Sequence, residues 1–307
     1  MDKAAIGIDW GGTFVKLGVF DSKGRIVSKY SYLSEPLTNP DDFFNFIYES
    51  INNLRKKYSL EKAGIGVPGP VDTGKGVIYY LPNIKGWENF PFKKKFQKKF
   101  KIPLFIDNDG NTSALAELRR GKAKGITTGI VFTLGTGLGC GLIIRGKIFR
   151  GRCSAAEAAH MPIVLKGKKC GCGGTGCVET LLGNSYFISK VKSMPGYKKS
   201  PVSRIKNMDP YNIYQAAKEK DRFALKCWVY FGKILGRFSS GLINLLNPEL
   251  IVIGGGLSGA FPFFKQAMEE EISYQAMKPQ SQQVKVVKSR LGKDTGIIGA
   301  RELTLEK

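Results

Sequence analysis

The segment Glu157-Ala-Ala-His160 is followed, ten positions after the histidine, by Cys170-Gly-Cys172-Gly-Gly-Thr-Gly-Cys177-Val-Glu179. It holds the only histidine of the chain, three of its six cysteines and two carboxylates. Zinc binds four nitrogen or sulfur ligands in a tetrahedron, and three cysteines with one histidine form a common structural site. The intervening glycines let the backbone turn sharply enough for the sulfurs to converge. The pattern favours a zinc site, with buried free cysteines and a core histidine as the alternative.

The composition is that of a globular protein. At 307 residues, 42% of them hydrophobic and 24% charged, the chain is long enough for two domains. It lacks an apolar run of membrane-spanning length and a signal peptide, so we expect a cytoplasmic location. The 48 Lys and Arg against 25 Asp and Glu give a charge of +23, which attracts polyanions. We favour a lysine-rich surface over a nucleic-acid or membrane role, because Phe92, Phe96 and Phe100 predict an ordinary amphipathic helix among the lysines.

Glycine-rich turns recur between predicted strands. Asp9-Trp-Gly11-Gly12-Thr13 and Gly135-Thr136-Gly137 each separate two strand-like stretches, and Gly254-Gly255-Gly256 follows an apolar strand and precedes a helix. Backbone N–H groups in such turns can approach phosphate oxygens closely. One turn alone could be an ordinary hairpin, but several in one chain favour a nucleotide site.

A carboxylate stands where a short strand, Pro103 to Asn108, precedes a helix predicted from Thr112 to about Lys122. Ligands of open α/β sheets lie at the carboxyl ends of the strands, so Asp109 is well placed for chemistry. The alternative is that Asp109 only caps the helix. With an ordinary pKa near 4, its carboxylate would be ionised and could accept a proton.

Taken together, these segments resemble the ROK family of sugar kinases and repressors, in particular its zinc-containing members, over essentially the whole chain. The resemblance implies an α/β fold of the actin-like ATPase class (RNase H-like, duplicated), with two domains and a cleft between them. We place the first domain at residues 1–117, with 293–307 returning to it, and the second at 118–292. Dimerisation is also implied. The chain departs from the family in having Ala156 and Ala159 where glycine is usual, and Gly110 where alanine is usual.

The resemblance also implies roles for individual residues. The zinc ligands would be His160, Cys170, Cys172 and Cys177. Asp109 would be the catalytic base, and the sugar contacts would be Asn83, Asn108, Asp109, Glu157, His160 and Glu179. ATP, arriving with Mg²⁺, would be held by Asp9, Gly11, Gly12, Thr13, Lys16, Gly135, Thr136, Gly137, Gly254, Gly255 and Gly256. For Lys16 the alternative is a solvated side chain.

The predicted function is transfer of the ATP γ-phosphoryl group to a hexose hydroxyl, with the 6-hydroxyl of glucose favoured. N-acetylglucosamine and N-acetylmannosamine are alternative acceptors, and inorganic polyphosphate is an alternative donor that would suit the positive charge. A non-catalytic sugar sensor is a further alternative. ROK repressors carry a helix-turn-helix segment ahead of the first glycine motif. That motif begins here at residue 9, so we expect no room for such a segment ahead of it. The retained Asp109 also argues against a sensor.

Overall fold

A computed structural model describes residues 1–37, 39–82 and 84–306. The strands are β1 (Asp2–Trp10), β2 (Phe14–Asp21), β3 (Ile26–Leu33), β4 (Tyr58–Val67), β5 (Val71–Asp72), β6 (Val77–Ile78), β7 (Leu104–Asn108), β8 (Gly129–Leu134), β9 (Leu138–Ile144), β10 (Lys147–Ile148), β11 (Leu250–Gly254) and β12 (Lys285–Lys288). The helices are α1 (Pro40–Arg55), α2 (Phe92–Phe100), α3 (Asp109–Arg120), α4 (Glu179–Leu182), α5 (Asn184–Ser193), α6 (Pro210–Lys218), α7 (Arg222–Leu246), α8 (Phe261–Gln275), α9 (Lys278–Gln283) and α10 (Thr295–Leu303).

The chain divides into two compact units. Unit 1 comprises residues 1–124, 147–157 and 293–307, and unit 2 comprises 125–146 and 158–292. The division differs from the predicted one at two places, since 118–124 and 147–157 group with unit 1. One reason is that α3 continues to Arg120; another is that Arg150 pairs with the unit 1 acids Asp107 and Glu306. The functional domain limits stay a prediction.

Unit 1 is built on a mixed five-stranded sheet of order β3-β2-β1-β4-β7. The alternating apolar pattern of the first thirty residues predicts three antiparallel strands, and β1, β2 and β3 pair in this way. By contrast, β4 adds to β1 in parallel, and β7 adds to β4 in parallel. Alternate residues of β1, among them Ile6, Ile8 and Trp10, are fully buried. Asn39-Pro-Asp-Asp and the Phe and Ile pattern after it predict a capped helix to about Tyr58. Helix α1 begins after Asn39, whose Oδ1 accepts the Asp42 N–H, and it ends at Arg55 because Tyr58 begins β4.

The predicted packing of the lysine-rich helix α2 is confirmed, because its three phenylalanines are fully buried. Two other predicted elements differ from the structure. The apolar run from Val77 to Leu81 predicts a strand, but the structure limits it to β6, which pairs with the two residues of β5 and, through Ile78, with Phe90. Helix α3 begins at Asp109 instead of Thr112, because Asn108 supplies the cap.

The last helix, α10, packs on β1, β4 and α3 of unit 1. Glycines permit contact between backbones there. A Cβ at Gly64 of β4 would lie 1.7 Å from the Ala300 carbonyl oxygen, and one at Gly299 of α10 would lie 1.8 Å from that of Thr112. A side chain at either position would collide with the facing backbone and displace the helix. Helix α10 therefore packs as a layer of unit 1.

Unit 2 contains strands in the order β9-β8-β11-β12, with β8 and β9 antiparallel and β8, β11 and β12 parallel. The long helix α7 packs along α8, and aromatic side chains such as Trp228, Phe231 and Phe264 fill the core between them. The sequence after Glu179 predicts mostly helices until about Leu246, and the structure has α4 to α7 in this region. Across the described parts of the chain, no helix has the length and apolar character needed to cross a bilayer.

Candidate active site

The corner between β7 and α3 presents Asp109. Asn108 is the N-cap of α3, because its Oδ1 accepts the N–H groups of Gly110 at 2.7 Å and Asn111 at 3.3 Å. Asp109 is therefore not the cap, which was the alternative role for it. It occupies the first helical position, and its Oδ1 accepts the Gly110 N–H at 2.8 Å. Capping by the neighbouring residue fixes the Asp109 carboxylate at the carboxyl end of β7.

Three carboxylates of unit 1 lie close enough to influence one another. Burial, together with the negative charges of Asp9 and Glu157, raises the pKa of Asp109 to about 7. Burial also raises the pKa of Asp9 and of Glu157. The expected ordinary pKa near 4 for Asp109 was wrong, because composition and spacing reveal neither the burial nor the nearby charges. A carboxylate that titrates near neutrality is well matched to accepting a proton.

Asn108 links this corner to Glu157. Its Nδ2 donates to Glu157 Oε1 at 3.3 Å and to the Gly69 carbonyl at 3.4 Å. Because its Oδ1 is used by the cap, the amide of Asn108 serves mainly to join the Asp109 corner to the segment that carries Glu157.

Asp9 is held from two sides at the end of β1. Lys16, its cross-strand neighbour on β2, places Nζ 3.3 Å from Asp9 Oδ2 and is about one third exposed. On the other side is the first turn of α10, where a Cβ at Gly296 would lie 2.2 Å from Asp9 Cγ. Lys16 is thus ion-paired, and Gly296 leaves the room that the Asp9 carboxylate occupies.

The first glycine turn follows directly. The Gly11 N–H donates to the Phe14 carbonyl at 2.9 Å, and Ser34 Oγ donates to the Gly11 carbonyl at 2.8 Å. Gly12 and Thr13 are exposed. The turn is a closed hairpin with its tip accessible.

The other two glycine turns are neighbours in unit 2. Strands β8 and β11 run parallel with Thr133 opposite Gly254, so the turns at 135–137 and 254–256 leave the same end of the sheet. Glu179 supports the turn at 135–137, since its Oε2 accepts the Leu138 N–H at 2.9 Å. Burial raises the pKa of Glu179, opposed by that hydrogen bond.

His160, Cys170, Cys172 and Cys177 converge in unit 2, with their ligand atoms all within 4.8 Å of one another. Cys170 Sγ is 3.5 Å from His160 Nδ1, and Cys172 Sγ is 3.8 Å from Cys177 Sγ. A tetrahedral zinc site with ordinary bond lengths has ligand-to-ligand edges of about 3.6 to 3.8 Å. The four residues therefore fit a metal ion, with Nδ1 of His160 as its nitrogen ligand.

The backbone around these cysteines is shaped by its glycines. Gly173 and Gly176 have φ values of +93° and +73°, which L residues rarely adopt. The Cys170 N–H donates to the Gly174 carbonyl at 2.8 Å, closing the loop that carries Cys172. These turns bring the three sulfurs together.

The structure thus brings the predicted residues into separate groups. In unit 1 these are Asp9, Lys16, Asn108, Asp109 and Glu157, with the glycine turn at 11–13. In unit 2 they are Glu179 with the glycine turns at 135–137 and 254–256, and the His–Cys cluster. Asn83 lies outside the described residues. Sequence reasoning missed Asp107, Arg150, Glu306 and Gly296. A charged residue inside the apolar strand β7 was a signal for Asp107, but nothing local pointed to its partner 43 residues away.

Comparison with known proteins identifies the family. The ROK family model matches residues 5–307, and the chain belongs to that family. A glucokinase from Halalkalibacterium halodurans is 31% identical, with 97% of this chain and 94% of the relative covered. A xylose repressor from Caldicellulosiruptor bescii is 28% identical, with 95% and 75% covered.

A solved structure extends the likeness to the fold. The crystal structure of a ROK family glucokinase from Streptomyces griseus in complex with glucose and AMPPNP has a TM-score of 0.85 and 28% identity, covering 98% of each chain. The resemblance to the ROK family and the predicted fold class, the two-domain actin-like ATPase class, are confirmed.

Proposed function

We propose that this protein is an ATP-dependent hexose kinase that phosphorylates the 6-hydroxyl of glucose. The observation that carries the proposal is the half-buried Asp109 carboxylate at the carboxyl end of β7, with its pKa raised to about 7. The glucokinase relatives and the solved relative with glucose and AMPPNP support glucose as acceptor and ATP as donor.

Phosphoryl transfer requires alignment, charge neutralisation and an acceptor for the hydroxyl proton. Asp109 is the proposed acceptor of the proton from the sugar hydroxyl. Asp9 and Glu157 increase its proton affinity toward neutral pH, where a base is most effective. Glu157 and Glu179 would accept hydrogen bonds from other sugar hydroxyls, because a carboxylate oxygen can accept more than one.

The glycine turns at 11–13, 135–137 and 254–256 are the proposed phosphate and nucleotide contacts. Lys16 would add a positive charge near the phosphates, since its ammonium already lies beside Asp9. Mg²⁺ would arrive with ATP and neutralise phosphate charge, as it prefers phosphate and carboxylate oxygens.

For the His–Cys cluster we propose a structural zinc ion. Three sulfurs and one nitrogen lie within 4.8 Å of one another, with two of their separations, 3.5 and 3.8 Å, near the edges of a zinc tetrahedron. A site with four protein ligands leaves no open position for chemistry. With Nδ1 of His160 on the metal, its Nε2 would be directed to a sugar hydroxyl, as metal-bound histidines commonly use the second nitrogen. A cytoplasmic homodimer also remains part of the proposal.

A sugar-responsive sensor is the second candidate, favoured by the xylose repressor relative. Such a protein would bind a sugar without needing a base of tuned pKa. The Asp109 environment therefore favours the kinase.

The deciding experiment measures ADP release from Mg-ATP over glucose, mannose, N-acetylglucosamine, N-acetylmannosamine and xylose, with polyphosphate as a second donor. We expect turnover with ATP and glucose at a kcat/KM above that for the other sugars. Sugar binding by calorimetry without any ADP release would favour the sensor. Turnover restricted to polyphosphate would exclude the ATP proposal.

The raised pKa of Asp109 predicts a pH dependence of catalysis. Only the ionised carboxylate can accept a proton, so kcat/KM should rise with pH, with a midpoint near 7, and level off about one pH unit above the midpoint. Below that pH the rate should fall about tenfold per pH unit. The measurement is kcat/KM for glucose from pH 5.5 to 8.5. A midpoint near 4 would show that the carboxylate is hydrated during catalysis and would contradict the proposed environment.

A further inference from the structure

Directly before the proposed base lies a buried acid, Asp107, which is 1% exposed. Its Oδ1 accepts the Asn108 N–H at 2.7 Å and Asn111 Nδ2 at 3.0 Å. Both donors flank Asp109 in the sequence. The carboxylate of Asp107 is thus bonded to the residues on each side of the base and defines where the first turn of α3 begins.

The other oxygen of Asp107 is held by Arg150, whose Nε donates to Oδ2 at 2.6 Å. The same guanidinium donates from Nη2 to Glu306 Oε2 at 2.6 Å. A guanidinium is a planar fork that stays charged, so it can fix two acids in one geometry. Arg150 therefore orients the Asp107 carboxylate so that Oδ1 faces the corner that carries Asp109.

Arg150 belongs to the segment 147–157, which ends at Glu157. That segment has a second attachment to unit 1, because Ser154 Oγ accepts the Val71 N–H at 3.3 Å. Its last residue is reached by Asn108 Nδ2 at 3.3 Å. The arginine thus lies where the chain bearing one proposed sugar contact meets the corner bearing the proposed base.

We propose that Arg150, through Asp107 and braced by Glu306, is a positioning residue for the phosphoryl-transfer reaction: it holds the Asp109 corner and the Glu157 segment in one fixed arrangement. The proposal rests on the proposed kinase function. Without the arginine, a fully buried carboxylate would lose the cation that orients it, and its bonds to Asn108 and Asn111 would weaken. Displacements of about 1 Å in a catalytic group can cost about 10²-fold in rate.

The test compares Arg150→Gln and Arg150→Lys with Arg120→Gln as the matched control. Arg120 makes the same kind of pair at the opposite end of α3, with its Nε 2.6 Å from an oxygen of Glu302, which is 5% exposed. Arg150→Gln and Arg120→Gln each remove an arginine from a buried acid of unit 1. Only Arg150 is connected, through Asp107, to the residues that flank Asp109.

For Arg150→Gln we expect kcat to fall about 10- to 100-fold, with KM for ATP changed less than about threefold. The midpoint of the pH profile should move below 7, because a loosened corner admits water and weakens the burial that raises the pKa of Asp109. Arg150→Lys should recover part of the rate, since it restores charge without the fork. Arg120→Gln should lower thermal stability but leave kcat and the pH midpoint of the folded enzyme within about twofold.

Amide hydrogen exchange supplies a readout that needs no turnover. Peptides covering 104–112 should exchange faster in Arg150→Gln than in wild type and should be unchanged in Arg120→Gln. If exchange at 104–112 were unaffected, or if both variants lost rate equally with unmoved pH midpoints, the positioning role would be overturned. If wild type turned over no sugar, the proposed kinase would fail while the exchange result would still decide whether Arg150 orders the corner.

Discussion

Replacing Asp109 with asparagine is expected to lower kcat about 10²- to 10⁴-fold, the range in which a positioned general base contributes. Asparagine keeps the size of the side chain and can still accept the Gly110 N–H, but it cannot take up the proton of the sugar hydroxyl. The KM values for glucose and ATP should therefore change only a few-fold. The measurement is steady-state kinetics at pH 7.5, with glucose binding by calorimetry.

The same substitution should stabilise the protein at alkaline pH. The pKa of Asp109 is raised to about 7, so the folded state holds its proton more tightly than the unfolded state does. The associated stability is present at acidic pH and is lost as pH rises through about 7. Each pKa unit corresponds to about 1.4 kcal/mol, so Asp109→Asn should unfold several degrees above wild type at pH 8. The difference should shrink at pH 5.

Asp41→Asn is the matched control. Asp41 is an exposed carboxylate in the first turn of α1, so the chemical change and the helical position are alike but no charged cluster is involved. The kcat of Asp41→Asn should equal that of wild type. Its unfolding temperature should vary with pH in the same way as that of wild type. An Asp109→Asn enzyme that retained more than about a tenth of the wild-type kcat would remove Asp109 from the role of base.

Loss of the proposed zinc ion is expected to have the second largest effect. The native protein should contain one zinc per chain, and Cys177→Ser should lose it. Metal binding contributes directly to folding free energy, several kcal/mol in a site of this kind, and each kcal/mol moves the unfolding temperature by about 2–4 °C for a domain of this size. We expect a decrease of roughly 10 °C or more, measured by calorimetry alongside metal content by mass spectrometry.

Glucose affinity should decrease together with the metal, because His160 carries the ion through Nδ1 and would reach the sugar through Nε2. Cys153→Ser is the control, as Cys153 is a half-buried cysteine outside the cluster. That variant should keep its zinc and its glucose affinity. Full stability and glucose binding in a Cys177→Ser protein shown to be free of zinc would exclude a structural metal.

Much of the fold could be predicted from short-range patterns. The hairpin around the first glycine turn, the capped helix α1 and the phenylalanine stripe of α2 depend on residues within one or two turns of one another, and each is present. The convergence of His160 with the three cysteines was also predictable, since the ligands fall within eighteen residues and metal chemistry restricts their geometry.

The pKa values and ion pairs of the site could not be predicted from short-range patterns. The pKa of Asp109 depends on Asp9 and Glu157, which are distant in sequence, and on burial that only the packed unit creates. The pairing of Asp107 with Arg150 and Glu306 has the same character. Gly296 looks like an ordinary residue in a helix, and only its contact with Asp9 shows why a side chain there would disturb the site.

The seating of α10 on unit 1 has a consequence for synthesis of the protein. The helix covers β1, β4 and α3 and lies close to Asp9, yet it is synthesised about 285 residues after the first strand. Until α10 emerges, the glycine-lined faces of β1 and β4 lack their covering layer. The nascent chain must therefore keep its earliest strands soluble while unit 2 is translated, and Asp9 gains its contact with Gly296 only after the last helix has docked.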